Sequence, residues 1–120
     1  MLKKTITYTD YNGNQRTEDF YFNFNKAELV ELNVSVEGGL EQMLKRIISE
    51  QDSSKIMEIW KTILLKSYGK KSDDGKYFMK SEEISREFSN TEAYSELFME
   101  LTFDSEKAIA FVNGIVPKVE

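Results

Sequence analysis

The side chains best suited to acid–base chemistry in this chain are its glutamates. Two nearby carboxyl groups can serve as general acid and general base when their surroundings separate their pKa values. Six glutamates of the C-terminal half could supply such a pair: Glu82, Glu83, Glu87, Glu92, Glu96 and Glu100. The last three recur at every fourth residue, however, which is typical of a helix face in contact with solvent. We therefore interpret this row as a solvated acidic surface.

The absence of two residue types disfavours nucleophilic catalysis and metal binding. The chain's 120 residues include no histidine and no cysteine. Their absence removes thiol nucleophiles, disulfides, Cys/His zinc sites and histidine general bases. A lysine could activate a serine or threonine, but no motif points to such a pair. We expect no enzymatic activity, and we assign no catalytic, cofactor-binding or metal-binding residue and no cofactor.

Two glycine-containing segments resemble ligand-binding loops only in part. Gly38-Gly39 lacks the spacing and the Lys-Ser/Thr pair of a phosphate-binding loop, so we interpret it as a hinge. The sequence SDDGK at residues 72–76 lacks the alternating ligands and the final glutamate of a calcium-binding loop. An Asp-Gly turn explains it better.

The charge and hydropathy of the chain bear on its partners and location. The net charge is -5 and charged residues make up 31% of the chain. Its dense basic pairs, Lys3-Lys4 and Lys70-Lys71, form no concentrated basic face, so we expect no nucleic-acid partner. The longest apolar run, Ile63-Leu64-Leu65, is far too short to span a bilayer, and "MLKKTITYTD" contains no apolar signal segment. We expect no membrane association and a location in the cytoplasm.

The first 24 residues have the two-residue alternation of a β-hairpin. Ile6 and Tyr8 alternate with threonines, and Phe20, Phe22 and Phe24 alternate with other residues in a second segment. Between the two segments lies "DYNGNQ", whose composition predicts a turn.

The type of turn decides which side chains share a face. A two-residue turn at Asn12-Gly13 would place Ile6 opposite Asp19 and send the apolar residues of the two strands to opposite faces. A three-residue loop with Gly13 as the left-handed bulge residue pairs Asp10 with Asn14 and restores one apolar face. We predict the three-residue loop.

The rest of the chain predicts short helices with recognisable ends. Asn25 and Glu28 resemble a capping box for a helix that ends before Val34. A second helix is marked by the apolar residues Leu40, Met43, Leu44, Ile47 and Ile48. Ser53 or Ser54 caps a third helix, which Gly69 closes.

The C-terminal half continues this pattern. Residues 70–80, "KKSDDGKYFMK", predict a turn or small excursion. Ser81 begins a helix through about Phe88, and Thr91 caps the next one. Asp104 caps a last helix, which is terminated by Gly114 and Pro117.

Together these elements predict a single α+β domain over residues 1–120. It has an N-terminal β-hairpin at 1–24 and a helical part at 25–120 with about five or six short α-helices. An isolated hairpin is only marginally stable in water. We therefore expect the phenylalanine face of the hairpin to lie on the helices, or the hairpin to pair with a strand from a neighbouring molecule.

The segment "NTEAYSELFMELTFD" at residues 90–104 carries more large apolar side chains than one buried stripe requires. The stripe consists of Tyr94, Leu97, Phe98 and Leu101. At about 100° per residue, Met99 and Phe103 fall on the opposite side. Three interpretations stay open: the helix is covered on both sides, Phe103 lies past the helix end and folds back, or both residues face a partner chain.

Leu65 poses the same question on the third helix. Trp60 falls within the stripe of Ile56, Ile59 and Ile63 and is predicted to be core, whereas Leu65 lies off that stripe. We name Met99, Phe103 and Leu65 as the candidates for partner binding.

Four ordered segments of the chain resemble a known family. They are "TITYTDYNGNQRTEDFYFNFNKAELVEL", "GGLEQMLKRII", "ILLKSYGKKSDDGKYF" and "FSNTEAYSELFMELTFDSEKAIAFVNGIVP". Together they span nearly the whole chain, and they are similar to the small tail assembly chaperones of long-tailed, siphovirus-type phages and prophages of Gram-positive bacteria.

This resemblance implies a non-catalytic protein of the host cytoplasm. Such a chaperone binds the tape measure protein, assists polymerisation of the tail tube protein around it, and is absent from the mature virion. The resemblance transfers no residue-level binding motif. Two alternatives stay open: a permanent component of the tail or head–tail joining region, and a small inhibitor of a host enzyme. Self-association into a homo-oligomer also stays open.

Overall fold

The computed structural model describes residues 1–35, 42, 45–46 and 53–117. Its elements are β1 (Leu2–Thr9), β2 (Gln15–Phe22), α1 (Lys26–Ser35), α2 (Ser53–Ser67), β3 (Tyr68–Lys71), β4 (Phe78–Met79), α3 (Glu82–Ser89), α4 (Glu92–Phe103) and α5 (Ser105–Ile115). This hairpin followed by helices confirms the predicted α+β class. No helix within the described ranges is long and apolar enough to cross a bilayer. Two predictions lie outside these ranges: the hinge at Gly38-Gly39, and the helix with Leu40, Met43, Leu44, Ile47 and Ile48.

The turn of the first hairpin is the predicted three-residue loop. Asp10 pairs with Asn14 through a 2.9 Å bond from the Asp10 amide to the Asn14 carbonyl, and the Gly13 amide donates to the Asp10 carbonyl at 3.0 Å. Gly13 has a φ of +84°, the left-handed conformation that glycine adopts without steric cost. Arg16 donates to the Asp10 carboxylate at 2.6 Å, and this bond lowers the pKa of Asp10. The resulting register puts Ile6 and Phe20 on one buried face.

The sheet contains two strands that the sequence pattern does not predict. All four strands are antiparallel in the order β1-β2-β3-β4. Residues 70–80 form a second hairpin, closed by a 2.8 Å bond from the Ser72 amide to the Tyr77 carbonyl. Its turn contains Gly75 with a φ of +76°, and Asp74 accepts bonds from Ser72 and Lys76. The excursion in the sequence is therefore an extension of the sheet.

Gly69 does not close the third predicted helix, and that prediction was wrong. The helix, α2, ends at Ser67, and Gly69 lies in β3 opposite Tyr21. A Cβ at Gly69 would lie 2.9 Å from the Met79 carbonyl oxygen and 2.7 Å from the Phe78 ring. The glycine is needed because β4 and its phenylalanine approach the backbone of β3 too closely for a side chain.

Four helix starts follow the predicted capping residues. Asn25 and Glu28 form a reciprocal capping box, with amide-to-side-chain bonds of 2.8 and 3.0 Å, although α1 runs to Ser35 and so passes its predicted end. The other caps are Ser81 for α3, Thr91 for α4 and Asp104 for α5. The last helix ends at Ile115, ahead of Pro117.

An aromatic cluster joins the sheet to the helices. Phe22 packs against Phe88 and Phe111, with ring centroids 5.7 and 5.1 Å apart, and Phe88 stacks on Tyr68 at 4.2 Å. Trp60 is fully buried against Phe111, as its place in the apolar stripe predicted. The apolar face of the first hairpin therefore lies on the helices of its own chain.

Candidate protein-binding surface

The inner face of α4 is part of the core. Leu97 and Leu101 are each only 1% exposed, and Ala93 is fully buried. Tyr94 and Phe98, at the border of the same stripe, are half-buried and pack against that core. The predicted stripe of this helix is therefore confirmed as its buried side.

The outer face of α4 carries two large apolar side chains that the rest of the chain leaves open. Met99 is 49% exposed and Phe103 is 66% exposed. Phe103 is the last residue of α4, so it does not fold back beyond the helix end. Residues four apart on a helix lie on the same side, so the two side chains form one patch, which we call the outer patch. The structure therefore contradicts the first two interpretations from the sequence, coverage of both sides of the helix and folding back of Phe103, and it leaves both side chains exposed.

Leu65 lies in a different place, between two open cavities. One, of about 920 Å³, is bordered by residues of α1, α2 and α3; the other, of about 390 Å³, reaches Tyr94 and Phe98 on α4. Leu65 and Ser89 line both cavities, so the two lie side by side, and together we call them the groove. Leu65 is half-buried there, whereas neither Met99 nor Phe103 lines either cavity. The structure thus brings the two α4 candidates together and separates Leu65 from them.

The walls of the groove are fixed by polar contacts at its α1 end. Lys80 donates to the Glu28 carboxylate at 2.6 Å and to the Asn23 carbonyl at 2.7 Å, and it lies over the ring of Phe24. Burial lowers the pKa of Lys80, while its bond to Glu28 opposes that shift. The lysine therefore links the end of β4 to α1 and to the segment that follows β2.

The middle of the groove is tied in a second way. The Ser85 hydroxyl on α3 donates at 2.9 Å to the carbonyl of Leu65 on α2. With Met57, Tyr94 and Phe98 beyond it, Leu65 forms the apolar floor of a groove whose walls are hydrogen-bonded. Sequence reasoning found Leu65 but assigned Tyr94 and Phe98 to a core stripe, and it gave Met57 no role.

The charge around the outer patch is strongly acidic. Residues 87–106 include six carboxylates and no lysine or arginine. Glu100 is paired with Lys107 at 3.1 Å and with Lys4 at 3.7 Å, both lysines coming from other elements. An apolar pair in an acidic setting suits a partner segment that combines apolar and basic side chains.

A family described as phage tail assembly chaperone matches residues 1–119. No curated protein and no solved structure matches the chain.

Proposed function

Since this chain belongs to the phage tail assembly chaperones and so acts in tail assembly, we propose that it binds the tape measure protein of its phage and assists assembly of the tail tube protein, without catalysing a reaction. A chaperone of this kind must cover apolar surface on a long client until the tube surrounds it. The surface that it offers must therefore be apolar, exposed and adaptable.

The observation that carries this proposal is the outer patch. Met99 and Phe103 lie on one side of α4, and about half or more of each side chain is in contact with solvent. Methionine suits a surface that must fit several client segments, because its side chain is unbranched and its sulfur is polarizable. Phenylalanine contributes a large apolar area with few rotatable bonds. We propose the outer patch as the principal contact with the client.

The groove is the second proposed contact. Leu65 forms its floor and is only half-buried, so an apolar side chain of the client can complete its burial. The hydroxyl bond from Ser85 and the Lys80–Glu28 pair hold the walls in place before binding. A site that is already ordered costs less conformational entropy on binding than one that must form.

Co-expression with the tape measure protein from the same genome tests the proposal. We expect the wild-type chain to raise the soluble fraction of the client and to co-purify with it. The double variant Met99→Ser/Phe103→Ser should lose both effects while remaining folded by circular dichroism.

Tyr77 and Met79 supply a matched control for that experiment. They are 58% and 46% exposed, and they likewise combine one aromatic side chain with one methionine. Tyr77→Ser/Met79→Ser should retain client binding. Equal loss in both double variants, or loss in neither, would show that the outer patch is not the client site.

We further propose that the protein acts in the cytoplasm of the host cell and is absent from the finished particle. A permanent component of the tail or head–tail joining region is the second candidate. The outer edge of β1, which pairs with no strand among the described residues, favours it because strand pairing can join subunits into rings. Mass spectrometry of purified particles separates the two functions. Stoichiometric amounts of this chain in the virion would exclude the chaperone function in favour of the structural one.

A further inference from the structure

The hairpin register shows which backbone groups of β1 are free. Asp10 and Asn14 form a hydrogen-bonded pair, and in an antiparallel ladder such pairs recur at every second residue. The even-numbered residues of β1 therefore bond to β2, and the odd-numbered ones direct their amide and carbonyl groups to the opposite side. β1 is the outermost strand of the sheet. Within the described residues, these groups of Lys3, Thr5, Thr7 and Thr9 have no backbone partner.

Helix α4 runs alongside this free edge. The Glu92 carboxylate in the first turn of α4 lies close enough to Tyr11, just past the end of β1, to raise the pKa of the Tyr11 phenol. Lys4, near the start of β1, lies 3.7 Å from Glu100 in the last turn. The helix is therefore antiparallel to the strand. Between these two contacts, residues 4–7 of β1 and Glu96, Leu97 and Glu100 of α4 border a cleft of about 250 Å³.

The spacing of the acidic residues matches that of a strand. Side chains on one face of a strand repeat at about 6.8 Å, twice the rise per residue. Glu92, Glu96 and Glu100 repeat every four residues, which is about 6 Å along a helix axis. Over two intervals the mismatch stays below about 2 Å, which a long lysine or arginine side chain can absorb.

We propose that the free edge of β1 accepts an extended segment of a partner protein with lysine or arginine at three alternate positions. The segment pairs its backbone with Thr5 and Thr7. Its basic side chains, which lie on the inner face of the sheet, reach Glu100, Glu96 and Glu92 in turn. Its other side chains lie on the outer face beside the threonines of β1.

A second copy of this chain fits that edge less well. In an antiparallel pair of two β1 strands, the inner-face residues would be Lys4, Ile6 and Tyr8. Only one of these is basic, so two glutamates would face uncharged side chains. Lys4 instead protects the edge in the free protein, because a charged residue on an edge strand discourages indiscriminate pairing. A basic partner segment displaces Lys4 from Glu100.

Two synthetic octapeptides of equal composition test the pairing. One alternates lysine and threonine; the other has four lysines followed by four threonines. We expect the alternating peptide to bind more tightly, by about tenfold, and to slow amide hydrogen exchange at Thr5 and Thr7. Equal affinity of the two peptides would show non-directional charge attraction and would overturn the proposal.

Proline substitutions test the edge itself. Thr7→Pro removes an outward amide without removing a bond to β2, so the hairpin should remain folded. Thr17→Pro is the matched control, since Thr17 lies opposite Thr7 and its hydroxyl contacts that of Thr7 at 3.0 Å. We expect Thr7→Pro to weaken binding of the alternating peptide by about tenfold and Thr17→Pro to leave it unchanged. Full binding by a folded Thr7→Pro variant would exclude strand addition at this edge.

Lys4 gives a test that stands even if a proline variant does not fold. Lys4→Gln should strengthen binding of the alternating peptide by about two- to fivefold, because it removes one of the two lysines that pair with Glu100, the other being Lys107. Lys3→Gln removes the same charge from the outer face and should change the affinity less. An equal change in both variants would mean that net charge alone is being measured.

The backbone edge of β1 contains no residue of the outer patch or the groove, and no arm of these experiments uses the tape measure protein. The two proposals can therefore fail independently. Light scattering of wild type and Thr7→Pro checks the occupant: a dimer in the wild type that the proline abolishes would assign the edge to a second copy instead.

Discussion

The two faces of α4 carry similar apolar side chains, but the rest of the chain covers only one of them. On the inner face, Leu97 and Leu101 lie beneath the sheet and against α2. On the outer face, Met99 and Phe103 lie among glutamates and contact solvent. Burial of a large aliphatic or aromatic side chain contributes about 1.5–3 kcal/mol to folding. The outer pair forgoes that contribution in the free protein, as the proposed client site requires.

The largest expected difference between the faces is in the free energy of unfolding. Leu97→Ala removes a fully covered side chain and leaves a cavity, so it should lower stability by about 2–5 kcal/mol. Met99→Ala, two residues away on the outer face, should change it by less than about 0.5 kcal/mol. Urea denaturation of the two variants measures the contrast. Similar losses in both would mean that the outer face is also covered in the folded protein.

Loss of the N-terminal cap of α4 should have the next largest effect on the free energy of unfolding. The Thr91 hydroxyl accepts from the Tyr94 amide at 3.2 Å and donates to the Phe88 carbonyl at 2.7 Å. Thr91→Ala should therefore cost about 1 kcal/mol. Ser95→Ala, at an exposed position inside the same helix, is the control and should cost nothing, since alanine has the higher helix propensity. Equal changes in stability for the two substitutions would show that the Thr91 hydroxyl does not stabilise the start of α4.

The inner face and the caps were predictable because they depend on neighbours close in sequence. The three-residue loop followed from the need to place Ile6 and Phe20 on one side of the hairpin. Each capping residue is recognised within one turn of its helix. The helical repeat likewise placed Met99 opposite Leu97. None of these inferences required knowledge of how distant segments meet.

The second hairpin and the groove were not predictable for the opposite reason. β3 and β4 have only four and two residues, too few for an alternation to be recognised. Glycine ends helices and also permits close strand contacts, so Gly69 was assigned the wrong role. Whether Met99 is covered, and which residues surround Leu65, depend on the packing of separate helices. A periodic pattern fixes the side of a helix but leaves its neighbours undetermined.

One substitution on the outer face of α4 should stabilise the protein while it removes an exposed apolar side chain. The last turn of α4 contains Glu100 but no basic residue, although a cation is favourable at a helix C-terminus. Phe103→Lys should therefore raise stability by about 0.3–1 kcal/mol while abolishing client binding. Thermal unfolding and the co-expression experiment measure the two effects. A loss of stability would show instead that the Phe103 ring contributes to the fold.

The smallest expected effect concerns Tyr94, at the border between the two faces. Burial raises the pKa of its phenol, because the charged phenolate is less well solvated there. A group whose pKa is raised on folding stabilises the protein below its unfolded value, about 10 for tyrosine, and this contribution is lost as the pH rises through the folded value. Between pH 9 and 11, stability should therefore fall more steeply in wild type than in Tyr94→Phe. A Tyr94→Phe slope equal to that of wild type would place the phenol in water, on the outer side of the border.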